Sequence, residues 1–170
     1  HSCFDVIKSV SPYITTIMGG VYPSISKDAA FKDQNIDYLV VGEGEERLPK
    51  LIRAIQASSG FQDIDGLMYR ENGKVIDVPQ HNVGIEDLDS NPFPDYSDYD
   101  MHKLMNWGAK YIHQFQYKQF PVGVMMTSRG CPYRCTYCAA GKDLNPINDR
   151  KNVRTRSPES ILAEIDFMRE

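Results

Sequence analysis

Residues 36–41 form an apolar, β-prone run that stops at Gly42, Glu43 and Gly44 and gives way to a helical period. Leu48, Leu51, Ile52 and Ile55 follow at i, i+3, i+4 and i+7, the spacing of one helix face. This unit constrains the fold more than any other feature. Parallel strands cannot be joined by a tight turn, so a crossover helix must connect them and cover the sheet. The same order stands upstream: residues 13–18 are β-prone, Gly19 and Gly20 stop them, and residues 27–32 suit one or two helical turns. Glu45 and Glu46 fall in the first turn of the second helix, where the helix dipole favours negative charge. The chain is therefore expected to be α/β, with a parallel sheet in its first part.

Farther on, residues 66–70 and 74–78 are β-prone and flank Glu71, Asn72 and Gly73. Asn-Gly between such runs predicts a tight hairpin. From Pro79 to Asp100 the sequence turns acidic, with Pro92 and Pro94 and no sustained period, and reads as a linker or wrapping loop. Residues 122–127 predict a buried strand. Ser157 and Pro158 then predict a helix start, with a side-chain cap and proline at the first helical position. Ile161, Leu162, Ile165 and Met168 give that helix an apolar face. A lone strand–loop–helix unit leaves apolar faces uncovered, so the chain is expected to be a piece of a larger protein.

Composition excludes some classes. Net charge is −4, from 19 basic and 23 acidic residues spread along the chain, which argues against non-specific nucleic-acid binding. No apolar run approaches the length of a membrane span, and no signal peptide is visible.

The cysteines carry the chemical information. Cys131, Cys135 and Cys138 lie in one loop with spacing C-x3-C-x2-C, while Cys3 stands alone as an incidental or buried thiol. A disulfide scaffold scatters its cysteines; thiols gathered in one loop read as metal ligands in a reducing compartment, taken as the cytoplasm. Iron–sulfur clusters are usually held by four thiolates, so three leave one iron open to another ligand. Gly130 lets the backbone pass close to such a cluster, and Arg129 and Arg134 offset its negative charge. A structural zinc site remains an alternative. It needs a fourth ligand, for which His102 and His113 are the upstream candidates. His1, His81, His102 and His113 are otherwise isolated, and the aromatic residues between Trp107 and Tyr117 read as core or interface.

The segment from Ser128 to Cys138 resembles the radical S-adenosylmethionine superfamily, whose signature is C-x3-C-x-aromatic-C, with Tyr137 at the aromatic position. The resemblance implies that Cys131, Cys135 and Cys138 ligate three irons of a [4Fe–4S] cluster. The fourth iron would chelate S-adenosylmethionine, whose reductive cleavage gives a 5′-deoxyadenosyl radical. Tyr137 would contact the adenine region or pack beside the loop. The implied fold is a (β/α) barrel, of which residues 121–170 would be the first strand and helix. An electron donor such as flavodoxin or ferredoxin is implied as partner.

The first part is similar to the C-terminal half of the cobalamin-binding, Rossmann-like domain that precedes the barrel in a subset of these enzymes. The matching residues run from Met18 to Pro23, from Asp37 to Glu46 and from Ile64 to Tyr69. By that resemblance Gly19, Gly20, Gly42 and Gly44 line a cobalamin site, with Glu43 nearby. Taken singly, these glycines also read as ordinary tight turns. The expected organisation is residues 1–80 as the end of a cobalamin-binding domain, 81–120 as linker and 121–170 as the start of the barrel. The reaction class implied is methylation, oxidation or ring formation on a small molecule. A methylthiotransferase and a zinc- or cluster-stabilised binding module are the alternatives.

Overall fold

The computed structural model describes residues 3–81, 84–100, 103, 124–133, 135–138 and 153–169. The chain divides into two compact units, residues 1–86 with 130–153, and residues 87–129 with 154–170.

The first unit is built on a four-stranded sheet in the order β1-β2-β3-β4. These strands are β1 (Ile17–Met18), β2 (Tyr38–Val40), β3 (Leu67–Glu71) and β4 (Lys74–Asp77). β1 and β2 are parallel, with Ile17 opposite Tyr38 and Met18 opposite Leu39. The helices α2 (Val21–Ile25) and α3 (Lys27–Ala30) form the crossover between them. β3 joins β2 antiparallel, and β4 pairs with β3 through the turn at Asn72 and Gly73. The sheet is therefore mixed: the expected parallel pair is present, and the hairpin extends it antiparallel. Both turn residues have positive φ, 52° at Asn72 and 76° at Gly73, which is what a two-residue turn matched to strand twist requires.

Period-two alternation sorts the strand residues onto two faces. Leu39, Val41 and Met68 pack with Ala30, Phe31 and Ile36 on one side, where Phe4 of α1 (Cys3–Val10) and Met18 add to the cluster. Val40, Leu67 and Tyr69 pack with Leu51 and Ala54 of α4 (Arg47–Ala57) on the other. Phe61 completes that second face by stacking between Tyr38 and Tyr69, with centroids 5.5 and 5.3 Å away. Burial raises the phenol pKa of both tyrosines.

Two readings of this unit need correction. The expected strand over residues 13–18 shortens to Ile17–Met18, and Tyr13 is 93% exposed. A β-prone composition does not create a pairing partner, and β2 reaches β1 only at those two positions. Helix α4 is rotated from its expected face: Leu48 and Ile52 are exposed, while Arg47, Leu51 and Ala54 are buried. The cause is Arg47, whose buried guanidinium has partners that an apolar side chain lacks. Cys3 is exposed.

The second unit contains the two-residue antiparallel ladder of β5 (Ser128–Arg129) and β6 (Arg154–Thr155), followed by helix α5 (Pro158–Arg169). The buried strand expected at residues 122–127 is not formed by its described part. Residues 124–127 are irregular, Val124 and Met126 are exposed, and the strand lies at Ser128–Arg129 because β6 pairs with the chain there. The expected cap of α5 is present, with Ser157 Oγ accepting the Ser160 N–H at 3.1 Å. Its buried residue is Glu164, paired with Arg156, while Leu162 and Ile165 are exposed. Arg156 also donates to the Ser160 carbonyl at 3.0 Å and its hydroxyl at 2.9 Å, so the inward face of α5 is organised by charge as much as by apolar contact. Asp89 accepts the Ser157 N–H with both carboxylate oxygens, and the Ser157 hydroxyl, followed by that N–H, lowers the Asp89 pKa. The aromatic residues between Trp107 and Tyr117, together with His1, His102 and His113, lie outside the described residues.

Candidate functional site

Strand order brings the two glycine turns together. β1 and β2 are adjacent and parallel, so Gly19 and Gly42 leave the sheet at the same end, the end at which α/β sheets bind ligands. A Cβ on Gly19 would stand 3.8 Å from the Val40 carbonyl oxygen. Gly20 has φ 95°, and a Cβ there would meet nothing within 4 Å; the same space is open at Gly44. These two glycines leave room for a bulky group to approach the backbone. Gly42 serves a different purpose. Its φ is 80°, and a Cβ would come within 2.6 Å of Gln80 Nε2 and 3.1 Å of Arg47 Nη1, so its lack of a side chain is used by packing inside the protein.

The second turn is held from below by Arg47, which is 4% exposed. Its guanidinium donates to the Glu43 carbonyl at 2.8 Å, to the Asp65 carbonyl at 2.7 Å and to the Asp65 carboxylate at 2.5 Å. Asp65 also accepts the backbone N–H of His81, whose side chain is exposed. The turns are further joined by Ser24, whose hydroxyl accepts from the Gly42 N–H at 2.8 Å and donates to the Gly20 carbonyl at 2.7 Å. A cavity of about 680 Å³ opens beside this junction, lined by Ser24, Lys27, Val41, Gly66 and Gln80 among others. The outer ends of β1 and β2 are tied down by Asp37. Its carboxylate accepts from Lys8 Nζ at 2.7 Å and from the Thr16 N–H and hydroxyl at 2.8 and 2.9 Å. Burial acts to raise the Asp37 pKa, but these donors outweigh it and hold the carboxyl below its ordinary value.

The cysteine loop follows β5 in sequence. Gly130 opens it at φ 98°, and the loop closes on a turn in which the Cys138 N–H donates to the Cys135 carbonyl at 3.1 Å. All three thiols are free; Cys131 and Cys138 are half-buried and Cys135 is exposed. Tyr137 is 91% exposed. Among the described residues no three His, Cys, Asp or Glu side chains are gathered closely enough to hold a metal ion. The donor set itself fits an iron–sulfur cluster: soft thiolates, close in sequence, unpaired with one another and reachable from solvent.

Arg47, Asp65 and Ser24 were not singled out by sequence reasoning. An arginine one residue past an acidic glycine turn carries a faint signal, because it sits at an apolar position of the helix face; the serine carries none.

No protein-family model matches the chain. Sequence relatives are nonetheless clear. The chain is 29% identical over 169 residues to an uncharacterized methyltransferase of Pyrococcus horikoshii, spanning 99% of this chain and 33% of that protein. It is 30% identical over 173 residues to the anaerobic magnesium-protoporphyrin IX monomethyl ester cyclase of Rubrivivax gelatinosus, spanning 96% of this chain and 27% of the relative. Among solved structures, the cobalamin-dependent S-adenosylmethionine radical enzyme OxsB, with aqua-cobalamin and S-adenosylmethionine bound, superposes with TM-score 0.64 at 23% identity. That match covers 96% of this chain and 21% of OxsB. The architecture is thus a mixed α/β fold of the kind found in cobalamin-dependent radical enzymes. The likeness extends over nearly the whole of this chain, which spans about a third or less of the length of these relatives.

Proposed function

We propose that this chain contributes part of a radical S-adenosylmethionine enzyme that also binds cobalamin, with residues 1–80 as the end of a Rossmann-like cobalamin-binding domain, 81–120 as linker and 121–170 as the first strand and helix of a (β/α) barrel. The observation that carries this reading is the pairing of two features in one chain: glycine turns at one end of adjacent parallel strands, and a C-x3-C-x2-C loop of free thiols downstream. Cys131, Cys135 and Cys138 hold the cluster, and Tyr137 offers its exposed ring to the adenine of S-adenosylmethionine. Gly19, Gly20, Gly42, Glu43 and Gly44 form one wall of the cobalamin site. The open space at Gly20 and Gly44 supports that assignment. When bound, a cluster with one open iron supplies the electron for reductive cleavage of S-adenosylmethionine.

The protein's own residues do the holding. Arg47 and Ser24 fix the glycine turns before any ligand arrives, and Gly130 turns the chain into the thiol loop. The substrate is a small molecule and the reaction a methylation, an oxidation or a ring closure, in keeping with a methyltransferase and a porphyrin-ester cyclase among the relatives. A flavodoxin or ferredoxin supplies the electron. Free thiols suit a reducing compartment such as the cytoplasm, and among the described residues no helix is long and apolar enough to cross a membrane.

Anaerobic reconstitution of the intact protein with iron and sulfide tests this. The reduced sample is expected to give a [4Fe–4S] EPR signal that shifts on adding S-adenosylmethionine. Stoichiometric zinc, with no cluster and no response to S-adenosylmethionine, would replace this reading with a structural metal module.

A further inference from the structure

Ser24 bridges two turns that are eighteen or more residues apart in sequence but adjacent in space. Its hydroxyl uses both of its hydrogen-bonding capacities at once: the Gly42 N–H donates to it at 2.8 Å, and it donates to the Gly20 carbonyl at 2.7 Å. The second bond is local, from a helical serine to the carbonyl four residues back, and adds little to a helix by itself. The first is not local. It occupies the N–H of a glycine at φ 80° that is already confined by Gln80 and Arg47 on its other side. The turn after β2 is thereby fixed relative to the turn after β1, and the half-buried Ser24 lies at the wall of the adjoining cavity of about 680 Å³.

We propose that Ser24 is a positioning residue of the ligand site at the ends of β1 and β2: it sets the separation of the Gly19–Gly20 and Gly42–Gly44 turns so that both meet one bound cobalamin. The inference rests on the assignment of cobalamin to these turns. A rigid macrocycle spanning two loops is sensitive to their spacing, because each loop left free must be ordered on binding. Without the hydroxyl, the Gly42 N–H is left without this acceptor and the Gly20 turn loses its cross-link, while the strands and their cores keep their contacts. The effect of Ser24 should thus fall on affinity for the ligand rather than on the thiol loop.

The test is equilibrium binding of aqua-cobalamin to the intact protein, followed by absorbance, for wild type, Ser24→Thr and Ser24→Val. Threonine keeps a hydroxyl able to accept the Gly42 N–H, and valine has the same shape without it. The valine variant is expected to bind about tenfold more weakly, the loss of roughly one hydrogen bond, and threonine to lie within about twofold of wild type. Iron content after reconstitution is expected to be the same in all three. Equal affinity of the valine and threonine variants overturns the positioning role while leaving cobalamin binding intact. Equal weakening of both also overturns it, since the shape of the side chain and not its hydroxyl would then matter. If wild type binds no cobalamin, the assignment of the turns fails and the role of Ser24 fails with it.

Discussion

On the proposed reading, the glycine turns and the cysteine loop would hold their cofactors in opposite ways. The turn at residues 42–44 is fixed by a buried arginine, an aspartate and a serine, all bonded to backbone or to each other, so its shape is set by protein atoms. In the cysteine loop, Cys135 and Tyr137 are exposed, and the described thiols are not gathered around a common point. A site built on protein contacts tolerates an empty state. A site whose ligands converge only around a metal draws its order from the metal, so binding energy and local folding are coupled there. Substitutions should therefore act differently in the two regions.

The largest effect is expected at the loop. Cys135→Ala should abolish cluster assembly in the intact protein, with iron content and visible absorbance falling to background. Far-UV circular dichroism should stay unchanged, because Cys135 contributes nothing to either core. Retention of a full cluster by this variant would remove the loop from the cofactor site.

In the turn region the cost appears as stability. Arg47→Met removes the ion partner of Asp65 and a donor to the Glu43 carbonyl, and should destabilise the first unit by about 3 kcal/mol, the low end for a buried pair because Asp65 is partly exposed. Hydrogen exchange of the β2 and β3 amides reads this directly; unaltered protection would mean the pair does not hold the turn. A finer probe sets two glycines against each other. Gly42→Ala forces a Cβ into positive φ and against Gln80 and should cost about 1–2 kcal/mol. Gly44→Ala meets nothing within 4 Å and should stay within about 0.5 kcal/mol, yet weaken cobalamin binding by intruding on open space. Equal stability loss in both would show that the local packing around Gly42 is not decisive.

The smallest effect is acid sensitivity at Asp37. Its folded pKa lies below the model-compound value of 3.8, so its contribution is complete above that value and is lost as pH falls through the folded pKa. Asp37→Asn should lower stability modestly at neutrality, where the contribution of the ionised carboxylate is complete, and converge on wild type as pH falls below about 4, giving a flatter acid limb. An acid limb identical to wild type would point to other carboxylates.

The fold was legible wherever one local signal sufficed. Asn72 and Gly73 specify their turn through φ alone, and Ser157 specifies its cap through one side-chain oxygen; both are found as expected. Failures came where a distant partner decides. The phase of α4 follows from Arg47 meeting Asp65 eighteen positions away, and the inward face of α5 from Arg156 meeting Glu164. Periodicity counts apolar residues and is blind to a charged group whose partner lies elsewhere in the chain. The cysteine loop shows the converse: its spacing carries the proposed chemistry in one short segment, while the arrangement of the thiols in space is not written in the spacing.

The strand order of the first unit has a consequence for how it is made. Because β1, β2, β3 and β4 occur in space in the order of synthesis, each strand finds its neighbour already in place as it emerges from the ribosome. No later segment must be inserted between earlier ones. Such a sheet keeps sequence separations between partners short, which favours rapid assembly and leaves few edges waiting unpaired.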